Sequence, residues 1–117
     1  MAAIEFALVG LLAIVLILGI FEFGRALFIR NQLVFAADIA TRKALIHRPQ
    51  TATDLEELEA AIRDTITFDQ SELQVELALP SVDGIMPITL RQPLTLLLPD
   101  LYQNSITLSV DRSIPLP

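Results

Sequence analysis

A single carboxylate, that of Glu5, interrupts the otherwise apolar N-terminus Met1–Leu8. Behind it, the stretch Phe6–Phe21 contains no charged residue and is long enough to enter a bilayer, where a spanning helix needs ~20 mostly apolar residues. An ionised carboxylate costs roughly 2.5–3.5 kcal/mol at the centre of such a helix, and less near an interface. The sequence therefore predicts that Glu5 meets a cationic partner.

The identity of that cation is open to two interpretations. In a helix that starts at residue 1, the α-ammonium of Met1 lies one turn below the Glu5 carboxylate, and a pair within one chain would also satisfy amides of the first turn. Alternatively, Glu5 pairs with the ammonium of a neighbouring copy and sets the axial register of an assembly. Met1 and Glu5 are therefore the candidate assembly residues.

Glu22 and Arg25 are the next charged residues, just after the apolar run. They lie three residues apart, a spacing that favours an ion pair on a helix. We expect this pair at the membrane boundary, with an intersubunit bridge as the alternative.

Small residues within the apolar run are candidates for helix–helix packing. Glycine lets two helices approach closely, although each glycine also lowers helix propensity by ~1 kcal/mol relative to alanine. The phenylalanines near the end of the run are expected to pack or to anchor at the membrane interface; they are Phe21, Phe23 and Phe28. The candidate packing residues are Phe6, Gly10, Gly19 and Gly24.

Catalysis and cofactor binding are not expected from this sequence. His47 is the only histidine, and no cysteine is present to join it in a metal site, so we interpret His47 as a residue of a helix C-terminus. No Ser-His-Asp set, phosphate-cradling glycine loop or pair of buried carboxylates is visible. The lack of a basic stripe argues against a nucleic acid as partner.

One continuous helix, from about residue 2 to about residue 46, is predicted to position these groups. Small and apolar residues recur at spacings of three and four, and no proline precedes Pro49. Such a helix is ~65–70 Å long, about twice the hydrocarbon thickness of a bilayer. Its second half is predicted to stand outside the membrane and to pack through Ile29, Leu33, Ala36, Ala37, Ala40 and Ala44.

The apolar run is expected to be a retained membrane helix rather than a signal peptide. No basic residue precedes it, and it exceeds the usual 7–15 residue apolar core of a signal peptide. Arg25 and Arg30, which follow the run, would by themselves place the remainder in the cytoplasm. A basic leader removed from in front of Met1 would instead place the remainder outside.

A short amphipathic helix is predicted at about residues 54–67, with Thr53 and Glu56 as a capping box. Its apolar face is formed by Leu55, Leu58, Ile62 and Ile66.

The apolar period then changes to two, which predicts strands. Pro80–Gly84 is a turn signal, and Pro93 marks a bulge or an edge position. The fold class is therefore α+β: a long N-terminal helix over residues 1–47, then a head domain over residues 48–117 that contains a short helix and a small three-stranded antiparallel sheet. The strands are predicted at Leu73–Leu77, Ile88–Leu98 and Ile106–Val110.

Three segments resemble the N-terminal signature of the TadE/TadF-like pseudopilins, in the Tad (tight adherence) class of type IV pilins. They are Ala2–Leu8, Phe21–Phe28 and Phe35–Arg42. The resemblance is specific over residues 2–45 and loose over residues 70–112. Many TadE-like sequences carry a proline about six residues after the glutamate, where this chain has Gly10 and Leu11.

The resemblance implies a maturation and an assembly. Type IV pilins are made with a basic leader that a prepilin peptidase removes, and the mature chain has a glutamate at position 5 and a first residue that is commonly methylated. Glu5 and Met1 match those places. The helix is then a membrane anchor in the inner membrane before assembly and the core of an extracellular filament afterwards.

The resemblance thus favours a structural subunit of a Tad-class pilus, used for adhesion or surface attachment, that polymerises with copies of itself through the N-terminal helix. A minor or initiating pseudopilin is the second hypothesis, and the copy number along a filament separates the two. A monomeric, membrane-anchored adhesin or binding module is the third, and a retained leader would favour it.

Overall fold

A single helix, α1 (Ala2–Ile46), runs almost the full length of the molecule. The computed structural model describes residues 1–95 and 105–116 as a rod of 71 × 24 × 22 Å. The helix accounts for about 67 Å of that length at 1.5 Å per residue. It ends where His47 adopts an extended conformation two residues before Pro49, because proline disfavours helical geometry in the residue before it. The predicted bounds of this helix are confirmed.

The second half of α1 contributes one face to the hydrophobic core. Alanines dominate this face, which lets the other elements approach the helix backbone closely. The buried residues are those that the periodicity predicted: Ile29, Leu33, Ala36, Ala37, Ala40 and Ala44. Residues 29–46 therefore share one core with the residues that follow α1. We call that following part of the fold the head.

The second helix, α2 (Ala52–Thr65), begins two residues earlier than predicted. Thr51 is its N-cap, and Thr51 and Asp54 form the capping box, so the predicted box of Thr53 and Glu56 is wrong. The Asp54 carboxylate accepts hydrogen bonds from the amides of Gln50 and Thr51, both at 2.9 Å. These bonds lower the pKa of Asp54 below its usual value, with a smaller contribution from the Thr51 hydroxyl.

Three antiparallel strands form one sheet in the order β1-β2-β3. Leu90 in the central strand lies opposite Val75 on one side and Val110 on the other. The predicted fold class is therefore confirmed, while the strand bounds shift. The strands are β1 (Gln74–Leu77), β2 (Ile85–Thr95) and β3 (Ser105–Pro115).

The turn before β2 explains why that strand starts earlier than predicted. Gly84 has a φ of 76°, in the left-handed region that suits glycine, and its amide bonds the carbonyl of Ser81 at 2.9 Å. Pairing resumes directly afterwards at Ile85 rather than at Ile88. At the other end, Leu96 and Leu98 of the predicted strand lie outside the described residues.

Two prolines are accommodated in β2 because β1 is short. β1 pairs only with residues 88–91, and Pro87 and Pro93 lie just beyond the two ends of that ladder. Both prolines face β3 in an unbroken register, so the edge interpretation of Pro93 holds and the bulge interpretation is wrong.

One face of the sheet covers α1 and α2. Leu58 and Ile62 of α2 and the even-numbered residues of β2 are buried, whereas Val75 and Leu77 of β1 are half-buried. Gln92 is the one polar residue buried on this face in the described part of the chain. The buried residues of β2 are Met86, Ile88, Leu90, Gln92 and Leu94.

Candidate functional site

The first half of α1, residues 2–28, projects beyond the head. Its most apolar 18-residue window has no residue buried within the chain. By length and composition α1 is long and apolar enough to cross a membrane. Large apolar side chains are exposed on every side of it, with Ile4 at 72%, Phe6 at 81% and Phe23 at 67%. Such a surface requires lipid or protein around it.

Glu5 lies in the first turn of this projecting segment. Its amide donates to the carbonyl of Met1 at 3.2 Å, and its side chain is exposed. Within the described chain, the carboxylate forms no ion pair with the Met1 ammonium, although that pair is one turn away. The geometry thus leaves the Glu5 carboxylate available to a cation from outside the chain.

The three glycines of α1 do not lie on one face. A Cβ built on any of them would meet no atom within 4 Å, so each leaves open space on the helix surface. At ~100° per residue, Gly10 and Gly24 lie on the same side of the helix, and Gly19 lies on the opposite side. Gly10 and Gly24 are therefore the pair that one neighbouring helix could contact together.

Glu22 and Arg25 form an ion pair at 3.3 Å, where α1 meets the head. Arg25 also donates a hydrogen bond to the backbone carbonyl of Thr95, the last residue of β2. The guanidinium therefore ties α1 to the end of the sheet nearest the projecting segment, as well as to Glu22. Sequence reasoning found the pair from its spacing but missed Thr95, because that contact spans 70 residues.

A cleft of about 320 Å³ lies beside this contact, between α1, the segment after α2 and the end of β2. Arg25, Phe68, Glu72 and Gln92 are among its lining residues. Arg25 Nε and Gln92 Oε1 are buried, and neither has a hydrogen-bond partner in residues 1–95 or 105–116. No cluster of three His, Cys, Asp or Glu side chains within these same residues could hold a metal ion.

Phe35 is an exposed residue that the sequence reasoning did not single out. It lies on the part of α1 that packs against the head, yet its side chain is 55% exposed. The signal that could have found it is spacing, since Phe35 follows Phe28 by seven residues and Phe28 follows Phe21 by seven. A spacing of seven keeps residues on nearly the same face of a helix.

Comparison with known proteins gave one result, and it concerns α1. The family model of TadE-like proteins matches residues 1–42, which include Glu5, the projecting segment and the first part of the helix beside the head. Searches of the curated proteins and of the solved structures gave no match. The match confirms the resemblance read from the sequence and indicates an association with the Tad pilus. The N-terminal segment of this chain, residues 1–42, is therefore similar to the TadE-like proteins.

Proposed function

We propose that this protein is a structural subunit of a Tad-class type IV pilus and that it polymerises through the first half of α1. The observation that carries the proposal is the sharp division of one helix. Residues 2–28 expose apolar side chains all round, whereas residues 29–46 are packed on a folded head. A protein that needed only an anchor would have no use for Glu5 inside it, since a carboxylate there opposes insertion.

The same surface serves two environments in turn under this proposal. Before assembly, the apolar helix is held in the inner membrane with the head outside, and a prepilin peptidase and the pilus assembly machinery act on the chain there. After assembly, copies of the helix form the core of an extracellular filament and the heads cover it. Lipid and protein bury apolar surface about equally well, so close packing and polar contacts decide between them.

Glu5 supplies one such polar contact. Its carboxylate is exposed and unpaired with the ammonium of its own chain, so the ammonium of Met1 in a neighbouring copy is the cation that it would meet. A charge pair withdrawn from water and lipid stabilises the assembly only if its two groups meet, because an uncompensated buried charge is strongly destabilising. The pair would therefore fix how far one copy enters the filament.

The test is to count filaments on cells that make the Glu5→Gln variant. Gln keeps the size of the side chain and removes its charge, so the variant should reach the membrane, lose its leader and fail to assemble. Glu56→Gln, on the exposed side of α2, is the matched control and should assemble normally. Normal piliation by Glu5→Gln would exclude the charge pair as the basis of assembly.

A minor or initiating pseudopilin is a second candidate, and the family match favours it because TadE-like proteins resemble pseudopilins. The two candidates use α1 in the same way and differ in copy number. Immunogold labelling of the head along purified filaments distinguishes them, since a major subunit labels the whole length and a minor one labels the end or scattered points. A chain that stays monomeric in the membrane would instead be an anchored adhesin or binding module.

A further inference from the structure

The cleft beside Arg25 has a lining of mixed charge. Its volume is about 320 Å³, at the lower end of the roughly 300–1,000 Å³ that ligand pockets span. Arg25 supplies a guanidinium from α1, and Asp69 and Glu72 supply two carboxylates from the segment after α2. Within residues 1–95 and 105–116, neither of these carboxylates forms an ion pair with Arg25. The cleft therefore presents both signs of charge to a ligand.

Arg25 retains hydrogen-bond donors that the fold does not use. A guanidinium has several N–H groups, and in the described part of the chain only Nη2 donates, to Glu22 and to the carbonyl of Thr95. The Nε atom is buried and has no partner there. An anionic oxygen that enters the cleft would meet these donors, and hydrogen bonds between a guanidinium and a phosphate are among the strong ones.

Gln92, on the same cleft, has the opposite requirement. Its side chain lines the cleft and is 8% exposed, and its Oε1 has no hydrogen-bond partner among the residues that the structure describes. Its Nε2 is already used, because it donates to the carbonyl of Pro93 at 3.3 Å. Buried side-chain oxygens in proteins normally accept a hydrogen bond. The partner that suits Gln92 is thus a ligand with an N–H or O–H donor.

The height of the cleft on α1 indicates where that ligand comes from. A hydrocarbon core of ~30 Å takes up about 20 residues of helix, and each headgroup layer adds ~5–7 Å, or about four residues. Counted from Ala2, the core ends near Phe21 and the headgroup layer covers about residues 22–26. Under the proposed function, Arg25 and the cleft beside it would therefore lie at the level of the phospholipid headgroups.

The lining of the cleft discriminates between headgroups. A purely anionic headgroup would be repelled by the carboxylates of Asp69 and Glu72, and a purely cationic group would be repelled by the guanidinium of Arg25. A zwitterion meets both, with its phosphate toward Arg25 and its cation toward the two carboxylates. The cation must also donate a hydrogen bond to Gln92 Oε1. A primary ammonium has N–H donors for this bond, whereas a quaternary ammonium has none.

We propose that this cleft binds the phosphoethanolamine headgroup of a membrane phospholipid, with the phosphate on Arg25 and the ammonium on Gln92 and Glu72. The acyl chains lie along the projecting segment, whose apolar side chains are exposed. Gln92 Oε1 and Arg25 Nε are both buried, so the headgroup reaches them as these two lining side chains turn toward the cleft. The inference rests on the membrane stage of the proposed function and adds a ligand to it. The bound lipid would hold the head at the membrane surface before assembly.

The first test is native mass spectrometry of the full-length chain in detergent, with two lipids that have the same acyl chains. Phosphatidylethanolamine and phosphatidylcholine share the phosphate and the net charge, and they differ in the N–H donors of the cation. At equal concentrations, we expect one bound lipid per chain and a preference for phosphatidylethanolamine of roughly tenfold or more, the effect of about 1.4 kcal/mol. Equal retention of the two lipids would overturn the proposal, and so would a stronger preference for the anionic phosphatidylglycerol.

Two variants test the residues that would hold the ammonium. Gln92→Met removes the unpaired acceptor, and Glu72→Gln removes an exposed carboxylate of the lining. Each should bring the retention of the two lipids close to equal, while circular dichroism confirms that the chain is folded. Glu56→Gln removes an exposed carboxylate in the first half of α2, outside the cleft, and should keep the preference. A full preference in Gln92→Met or in Glu72→Gln would overturn this placement of the headgroup.

Soluble competitors separate the whole headgroup from its parts. Free phosphoethanolamine should displace bound phosphatidylethanolamine, whereas inorganic phosphate or ethanolamine at the same concentration should displace little. Displacement by phosphate alone would reveal a simple anion site at Arg25 and would overturn the zwitterion. Tighter binding of free phosphoethanolamine than of the lipid would assign the cleft to a soluble ligand and would overturn the membrane source.

Flotation of the full-length chain with phospholipid vesicles separates this inference from the proposed function. A chain that inserts into the vesicles but shows no preference among headgroups would overturn the headgroup site alone. A chain that fails to insert would overturn the membrane stage of the proposed function as well.

Discussion

Arg25 on α1 and Thr95 at the end of β2 are joined by a hydrogen bond from the guanidinium to the backbone carbonyl. Together with the Glu22 carboxylate at 3.3 Å, this contact closes the end of the head nearest the projecting segment onto the helix. It lies at the junction between the part of α1 that projects and the part that is packed, so its loss should loosen the edge of the head without disturbing the core.

Arg25→Met should therefore raise amide hydrogen exchange near Thr95 by roughly tenfold to a hundredfold, since a hydrogen bond to a charged group contributes about 1.5–3 kcal/mol. The full-length chain in detergent micelles is the material to use. Arg30→Met removes an exposed arginine from the next turns of the same helix and serves as the control. If both variants exchange alike at β2, Arg25 does not hold the sheet.

The fragment that contains residues 28–117 should be soluble, folded and unable to polymerise. It keeps the face of α1 that shares the core with the head and lacks the projecting apolar segment. Circular dichroism and light scattering test the folding and the oligomeric state. Ordered filaments from this fragment under the electron microscope would show that α1 is not the filament core.

Leu90→Ala in this fragment should lower the free energy of unfolding by ~2–5 kcal/mol, because Leu90 is fully buried in the central strand. Thr89→Ala, one residue earlier on the opposite face of β2, should have a much smaller effect. Thermal melts compare the two variants, and ~1 kcal/mol corresponds to about 4–8 °C in a domain of this size. Equal shifts in Tm would mean that the buried face of β2 is wrongly assigned.

Asp54 should make the stability of the head depend on pH in the acid range. Its hydrogen bonds to the amides of Gln50 and Thr51 lower its pKa in the folded state. A lowered pKa contributes stability that is fully present above the unfolded value of ~3.9 and is lost as the pH falls through the folded value. Asp54→Asn should therefore lower the Tm at pH 7 and change it little near ~pH 2.5. Asp64→Asn, exposed on the same helix, is the control and should show no such dependence.

Gln92→Met should leave the Tm of the full-length chain in detergent unchanged or raise it. Gln92 is buried, its Oε1 has no partner within the part of the chain that the structure describes, and Met has a similar length without the polar atoms. Burial of an unpaired polar atom costs about 1–3 kcal/mol, which Met removes. Gln92→Glu adds a charge at the same place and should lower the Tm. If Gln92→Met lowered the Tm as much as Gln92→Glu does, the side-chain amide of Gln92 would have a hydrogen-bond partner after all.

The buried face of α1 could be predicted from the sequence, whereas the start of α2 could not. Ile29 to Ala44 follow the helical period over many turns, so the pattern fixes which side is buried. Two overlapping segments, Thr51 to Asp54 and Thr53 to Glu56, fit the pattern of a Ser or Thr followed three residues later by an acidic residue. The choice between them depends on the direction of the chain after Pro49. Tertiary contacts set that direction, and a local motif does not specify it.

The candidate site shows the same limit. The isolated charge of Glu5 and the spacing of Glu22 and Arg25 are local features, and they were found from the sequence. The bond from Arg25 to Thr95 joins residues 70 positions apart, so it requires the folded head. The separation of Gly19 from Gly10 and Gly24 follows from helical geometry alone. The structure is needed to show which side of α1 the head occupies.

The unbroken course of α1 has a mechanical consequence. Helical hydrogen bonding continues from Ala2 to Ile46, so no hinge separates the projecting segment from the segment fixed in the head. A force applied to the head is therefore transmitted along the helix axis, and every residue of the projecting segment must rise by the same distance as the head, about 40 Å for complete withdrawal at 1.5 Å per residue. Under the proposed function, assembly machinery that grips only the head would thus extract the whole helix as one rigid rod.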